Sequence, residues 1–263
     1  MFKNFISYSK VLYQLLKTDM IIFKKNIIGN AIDTSIWVTI TLVATAYVFP
    51  HLGMNQSYGA FMAISLIGSC GVFEVWPTTA TLISDITGEQ TISYALTLPT
   101  PTAIIWIKYA ISAAIKSMIN ALIILPLSKI ILGSRLPLDN FVFWKFILIY
   151  VSISLFTSFF AVFMTSIVKN METMRSVWLR TLFPMWFLGS SQFPWYALHT
   201  FNIKVAYLML LNPFTYLMEG IHAATFANQN FLPFWICLLL IWFWIIIFGF
   251  VGISRLKKRL DSV

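Results

Sequence analysis

The chain has 263 residues, of which 59% are hydrophobic and 10% charged, and its formal net charge is +9. Soluble domains carry roughly 25% charged residues, so this composition excludes a water-soluble globular protein and indicates one embedded in lipid. The positive charge does not indicate nucleic-acid binding, because the Lys and Arg residues lie at the ends of apolar runs, where they orient membrane proteins. We expect a single membrane domain over residues 1–263.

The N-terminal stretch, residues 1–28, predicts an amphipathic helix. Apolar side chains from Phe5 to Leu16 recur at helical spacing, and lysines occupy the opposite face. Such a helix lies in the membrane interface, or it packs on the cytoplasmic side of the protein itself. We expect no cleavable signal peptide, since the lysines interrupt any apolar core.

Six apolar segments follow that approach or exceed the length of about 20 residues needed to cross the hydrocarbon core. They are predicted at residues 31–49, 58–83, 103–127, 146–168, 181–198 and 231–254. Pro77 is expected to kink the second segment near its inner end. The fifth segment is short and is interrupted by Pro184 and Pro194. These segments predict an all-α polytopic membrane protein with six transmembrane helices.

A seventh apolar segment, residues 205–218, is too short to cross. Its length corresponds to about 21 Å at 1.5 Å per residue, against a core of about 30 Å. Asn212 and Pro213 break it in the middle. We therefore expect this segment to enter the outer leaflet and return, within a re-entrant hairpin over residues 199–230 before the sixth span.

The distribution of the Lys and Arg residues predicts the orientation. With six spans, thirteen of the eighteen lie on one side, four lie on the other, and Lys116 lies within a span. The positive-inside rule makes the richer side cytoplasmic. Both termini are therefore expected in the cytoplasm.

Motifs for catalysis are not found in this sequence. No glycine precedes a lysine, so there is no GxxxxGK[ST] phosphate loop, and no HExxH, CxxC or GxSxG motif occurs. His51, His199 and His222 are interpreted as interfacial or loop histidines, and Cys70 and Cys237 as buried packing thiols. We predict no catalytic residues, no metal site and no cofactor in this chain, so any energised work needs another chain.

Polar groups inside the predicted spans are candidates for function, because ionisable groups are costly in lipid. Glu74 and Lys116 lie at depths that differ by about 6 Å, so we hypothesise that they approach each other between neighbouring spans. The pair either holds helices together or takes part in a pathway. Likewise, Trp186 and the polar run that contains Ser190, Ser191 and Gln192 line a helix interface or a polar path.

Two local stretches carry a family resemblance. Residues 85–101, DITGEQTISYALTLPTP, precede the third span, and residues 211–216, LNPFTY, are followed by Glu219 and Gly220 in the expected hairpin. In this order, and with six spans, the chain resembles the permease subunit of type-2 ABC exporters. That family often carries Arg or Lys in the first stretch, whereas here the stretch contains neither and the cation that follows it is Lys108.

The resemblance implies a half-transporter in the bacterial cytoplasmic (inner) membrane. A second copy of this chain would complete the pore, and two copies of a separate ATP-binding subunit would hold ATP and Mg²⁺. The first and fifth spans would meet near the dimer seam, and the second and fifth would border the substrate path. The substrate would be amphipathic or lipid-linked: a polysaccharide, a lipid or a drug-like compound.

The resemblance also assigns roles to residues. A coupling segment over residues 84–102, with Asp85, Gly88, Glu89 and Gln90, would transmit ATPase closure together with the N-terminal helix. The hairpin motif would contain Asn212, Pro213 and Glu219. Two alternatives remain: a secondary transporter that uses the Glu74/Lys116 pair, and an integral-membrane transferase, which lacks clustered outer-face carboxylates or histidines.

Overall fold

The computed structural model describes residues 2–89, 92, 100–139, 141–226 and 230–261, and these residues contain helices and no strand. The predicted all-α class is confirmed. We number the α-helices in chain order: α1 Phe2–Val43, α2 Tyr58–Phe73, α3 Val75–Ser84, α4 Thr102–Ala121, α5 Ile124–Leu132, α6 Phe143–Ile167, α7 Met171–Val177, α8 Phe183–Trp186, α9 Trp195–Phe201, α10 Ile203–Met209, α11 Pro213–Thr225 and α12 Phe234–Asp261.

Five helical stretches of the described residues are long and apolar enough to cross a membrane. They are Tyr8–His51, Tyr58–Ser84, Thr102–Arg135, Phe143–Ile167 and Phe234–Arg259. They coincide with the first, second, third, fourth and sixth predicted spans, so the chain is a multi-pass membrane protein. The predicted fifth span does not form one long helix and is not among them.

The first helix is longer than predicted. The N-terminal helix and the first span, expected as two elements, are one helix from Phe2 that continues through a π-helical stretch, Ala44–Val48, to His51. No proline lies between residues 2 and 49, and the glycine near the expected boundary, Gly29, is tolerated inside a helix at a cost of about 1 kcal/mol. Nothing in the sequence therefore ends the helix there.

Prolines explain the interruptions in the second and third spans. A proline cannot donate to the carbonyl four residues before it, and its ring clashes with that carbonyl. The second span turns at Glu74, one turn before Pro77. The third is interrupted at residues 122–123, one turn before Pro126.

The segment predicted as the fifth span, residues 181–198, is broken several times. Two π-helical stretches, Trp178–Leu182 and Phe187–Ser191, flank the short α8. Ser190 then adopts a left-handed backbone with φ of 61°, a conformation that costs a non-glycine residue about 1–3 kcal/mol. Such strain persists only where the surrounding packing imposes it.

The core forms around α11, which is almost completely buried among α2, α6 and α12. Phe214 of α11 contacts Phe156 and Phe160 of α6 edge to face, with ring centroids 5.8 and 5.5 Å apart. Gly220 allows the close approach of both α6 and α12, because a Cβ at this position would lie 2.8 Å from Ile149 Cδ1 of α6 and 3.1 Å from Cys237 Cβ of α12. The segment predicted as a hairpin is thus a central packing element.

Candidate functional site

Cavities occur at the two ends of the helix bundle. One, the Glu74 cavity, has a volume of about 340 Å³ and lies beside the end of α3. The other, the Gln192 cavity, has a volume of about 430 Å³ and lies beside the start of α2. On the long helix that α2 and α3 form together, the nearest lining residues of the two cavities, Phe61 and Glu74, are 13 residues or about 20 Å apart.

The Glu74 cavity contains most of the charged side chains of the described helical bundle interior. Its charged lining residues are Asp19, Glu74, Asp85, Lys108 and Lys116. Thr78, Thr81 and Ser112 add hydroxyl groups. A cavity with carboxylates, ammonium groups and hydroxyls can hold water or the polar part of an amphipathic molecule.

Glu74 and Lys116 line this same cavity, but the direct partner of Glu74 is a different residue. Asn120 donates its amide Nδ2 to Glu74 Oε1 at 2.5 Å. No ion pair joins Glu74 to Lys116 among the residues that the structure describes. Sequence reasoning missed Asn120, although it lies one helical turn after Lys116 on α4 and therefore shares its face.

Asp19 and Lys108 form the one ion pair of the described residues. Lys108 Nζ lies 2.8 Å from Asp19 Oδ2 and 2.9 Å from Oδ1, and Lys108 is only 7% exposed. The ammonium group also lies 4.1 Å from the centroid of the Tyr109 ring. Sequence reasoning did not single out Asp19, although it is the only acid among the first 30 residues.

The predicted coupling segment is described in part. Residues Asp85–Glu89 form a π-helical turn, and Asp85 Oδ2 accepts a hydrogen bond from the backbone N–H of Ile92 at 2.6 Å. Gly88 is exposed, with open space around it. The Glu89 side chain and Gln90 lie outside the described residues.

Trp186 and the two buried serines of the interrupted segment point into helix interfaces. Trp186 donates its indole N–H to Ser69 Oγ of α2 at 2.9 Å, and its ring lies 5.0 Å from that of Phe73. Ser190 and Ser191 are completely buried. In this conformation, therefore, these three residues pack against neighbouring helices, and the fourth member of the predicted set, Gln192, lines the Gln192 cavity.

Asn212 and Pro213 begin α11 and connect it to the interrupted segment. The Asn212 side chain accepts a hydrogen bond from Phe214 N at 3.1 Å, which caps the helix, while its Nδ2 donates to Met185 O at 2.6 Å. Pro213 is at the start of the helix, where its missing N–H costs nothing. This is the local reason why the Asn-Pro pair breaks the apolar run.

Glu219 is completely buried and holds two backbone segments together. Its Oε1 accepts the N–H of Trp195 at 2.6 Å, and its Oε2 accepts the N–H of Leu232 at 3.0 Å. The first donor begins α9 and the second precedes α12. The carboxylate thus fixes both ends of the predicted hairpin region to α11.

His222 is placed differently from the interpretation as a loop or interfacial histidine. It lies inside α11, is completely buried, and stacks on Phe61 with centroids 4.2 Å apart. Its Nε2 lies 3.1 Å from Ser65 Oγ, and Phe231 stacks on its ring at 5.2 Å. The ring behaves as an aromatic core residue because three helices converge around α11.

The Gln192 cavity is walled by aromatic rings, with Tyr58, Phe61, Phe193, Phe226 and Phe231 among its lining residues. Its polar lining comes from Asn55, Ser57, Arg135, Gln192 and Asn230. Aromatic faces with a few amide groups suit a ligand that has both apolar and polar surface.

Comparison with known protein families gives a match over most of the chain. A family model described as ABC-2 type transporter matches residues 11–226. The matched region begins in α1 and ends just after α11. It therefore includes α2, α3 and α4, which line the cavities, and the Asn212–Glu219 region. Among curated proteins, no match to this sequence is found.

Proposed function

The chain belongs to the ABC-2 type transporter family, and on that premise we propose that it is the permease subunit of an ATP-driven exporter. Its substrate is amphipathic or lipid-linked, a polysaccharide, lipid or drug-like compound, and moves out across the bacterial cytoplasmic membrane. The observation that carries the proposal is the family match over residues 11–226. Because the sequence has no phosphate-binding loop, ATP and Mg²⁺ bind to a separate ATP-binding subunit.

We propose six crossings, with the interrupted segment over residues 181–198 as the fifth, and both termini in the cytoplasm. An even number of crossings keeps the basic tail on the same side as the N-terminal lysines, in agreement with the positive-inside rule. The hairpin of α10 and α11 enters the outer leaflet and returns, since the 13 residues of α11 span only about 20 Å. Exposed lysines and isoleucines on α1 support an interfacial N-terminal region.

In this orientation, the Glu74 cavity opens at the cytoplasmic end and the Gln192 cavity at the outer end. The substrate path runs between them, along α2, α3 and the interrupted segment. Glu74, Lys116 and Trp186 border it, together with the polar run from Ser190 to Gln192. Opening of this path requires a conformation in which Ser190 and Ser191 separate from α11.

Two copies of this chain form the pore and two ATP-binding subunits drive it. The first helix and the interrupted segment form the interface between the two copies. The exposed apolar side chains of Ile36, Ile40, Phe183 and Phe187 support this assignment. The coupling segment over residues 84–102, with Asp85, Gly88, Glu89 and Gln90, contacts the ATP-binding subunit.

Purification from native membranes in a mild detergent tests the proposal. We expect an ATPase with Walker motifs to co-purify with the tagged chain, and the complex to hydrolyse ATP after reconstitution in liposomes. The matched control carries a substitution of the Walker lysine in the ATPase, which abolishes hydrolysis and leaves assembly intact. If no ATPase co-purifies and an ion gradient alone drives substrate movement, the chain is a secondary transporter instead.

A further inference from the structure

The first helix and the third span are parallel neighbours that contact each other at both ends. Near the N-terminal end, the Asp19–Lys108 ion pair joins them; we call this pair the N-terminal clamp. At the far end, the Tyr47 hydroxyl donates to the carbonyl of Ile131 at 2.6 Å. The two contacts are separated by about 28 residues of α-helical chain, or about 42 Å, which exceeds the hydrocarbon thickness of about 30 Å.

The far contact has a second component. Arg135 Nη1 donates to the Ala46 carbonyl at 2.9 Å, and its guanidinium group lies 4.6 Å from the centroid of the Tyr47 ring. Ala46 is four residues before Pro50, which has no N–H to donate to that carbonyl. We call Tyr47 and Arg135, with these two carbonyl partners, the distal clamp.

The N-terminal clamp is adjacent to the coupling segment. Asp19, Lys108, Asp85 and Ile92 line the same Glu74 cavity, and Asp85 holds the backbone of Ile92 by a hydrogen bond. Because all four residues line one cavity, a displacement of Asp85 or Ile92 changes the immediate surroundings of the ion pair. Because the pair is largely buried, separating it would leave an unpaired charge, so the two helices move together at this point.

We propose that the Asp19–Lys108 ion pair is the joint that passes nucleotide-driven movement of the coupling segment to the first helix. This proposal rests on the function proposed above. The first helix has no proline between its first residue and residue 49 and is continuous through the π-helical stretch to Tyr47, so it carries the movement to the distal clamp. Asp19 and Lys108 are positioning residues, since they contact neither nucleotide nor substrate.

Hydrogen–deuterium exchange on the purified complex with its ATP-binding subunit tests this proposal. Exchange is measured with and without a non-hydrolysable ATP analogue, in peptides covering residues 8–28 and 44–53. In the wild-type complex, we expect the nucleotide to change exchange in both peptides. In Asp19→Asn and in Lys108→Met, we expect the change at residues 44–53 to disappear and ATP hydrolysis to fall about tenfold, within the range of typical allosteric couplings.

Conservative and distant variants separate coupling from folding. Asp19→Glu keeps the charge and should behave as the wild type, as should Asp33→Asn, which removes an exposed acid on the same helix. Wild-type exchange and hydrolysis in Asp19→Asn would overturn the proposal. If Asp19→Asn does not fold, the wild-type complex still tests the proposal. Exchange at residues 44–53 that does not change on nucleotide binding would contradict it. Absence of a co-purifying ATPase would instead contradict the proposed function.

Discussion

Removal of the Glu219 carboxylate should loosen the hairpin region, because two backbone segments are bound to α11 through it. Glu219→Ala leaves the N–H groups of Trp195 and Leu232 without their partner in a fully buried site. An orphaned buried donor costs about 1–3 kcal/mol, so the two together cost about 2–6 kcal/mol. Glu219→Gln retains one acceptor oxygen and loses one of the two bonds, so we expect about half of that cost.

The two free cysteines provide the assay. Cys70 and Cys237 are both buried, so a maleimide dye that fluoresces on reaction with thiols reports their exposure on heating. A chain of this size loses about 2–4 °C of melting temperature per kcal/mol. We therefore expect Glu219→Ala to melt several degrees below the wild type, and Glu219→Gln to lie between them.

Glu172→Ala is the matched control. Glu172 is an exposed acid in the first turn of α7, where its interaction with the helix dipole is worth about 0.3–1 kcal/mol. Its melting temperature should stay close to that of the wild type. If Glu219→Ala melts with the wild type, or if Glu172→Ala shows the larger shift, then the carboxylate does not hold these segments together.

Variants at three further positions test other contacts, and Gly29→Ala serves as a control. Glu74→Gln should keep assembly with the ATP-binding subunit but lower substrate-stimulated ATP hydrolysis in liposomes; unchanged hydrolysis would remove Glu74 from the path. Asn212→Ser keeps a helix-capping oxygen and loses only the amide donor, whereas Asn212→Ala loses both, so the free energy of unfolding of Asn212→Ala should be lower by about a further 1 kcal/mol. Gly189→Ala should cost about 1–3 kcal/mol because its Cβ would lie 2.7 Å from Phe214 Cβ. Gly29→Ala, with open space around it, should melt no lower than the wild type.

Hydropathy and proline positions were enough to predict much of the fold. The long apolar runs predicted five of the helices because lipid requires about 20 apolar residues per crossing. Pro77 predicted a kink in the second span, and Asn212 with Pro213 predicted a break in the apolar run at the point where α11 begins. These features are local, since each depends on residues within about one helical turn.

The family was predicted from the arrangement of the spans together with two short stretches and their order along the chain. The stretches over residues 85–101 and 211–216 were interpreted as motifs of the permease family, and the family match over residues 11–226 agrees with that family. Neither motif predicts a three-dimensional contact. The inference from them depends on linear order, which the sequence states directly.

Only the tertiary structure decided which polar groups are partners. Glu74 binds Asn120, 46 residues away, and Asp19 binds Lys108, 89 residues away. Helical periodicity places a side chain on a face, but it does not say which other helix packs against that face.

The interrupted fifth segment depends on tertiary packing for the same reason. Its prolines predict weak points, yet the left-handed turn at Ser190 occurs where the neighbouring Gly189 meets α11. The sequence by itself thus determined that the chain is a membrane protein, where its five long apolar helices lie and which family it belongs to. The packing of distant helices determined the ion pair, the buried carboxylate and the breaks, because these contacts form only when helices far apart in sequence meet.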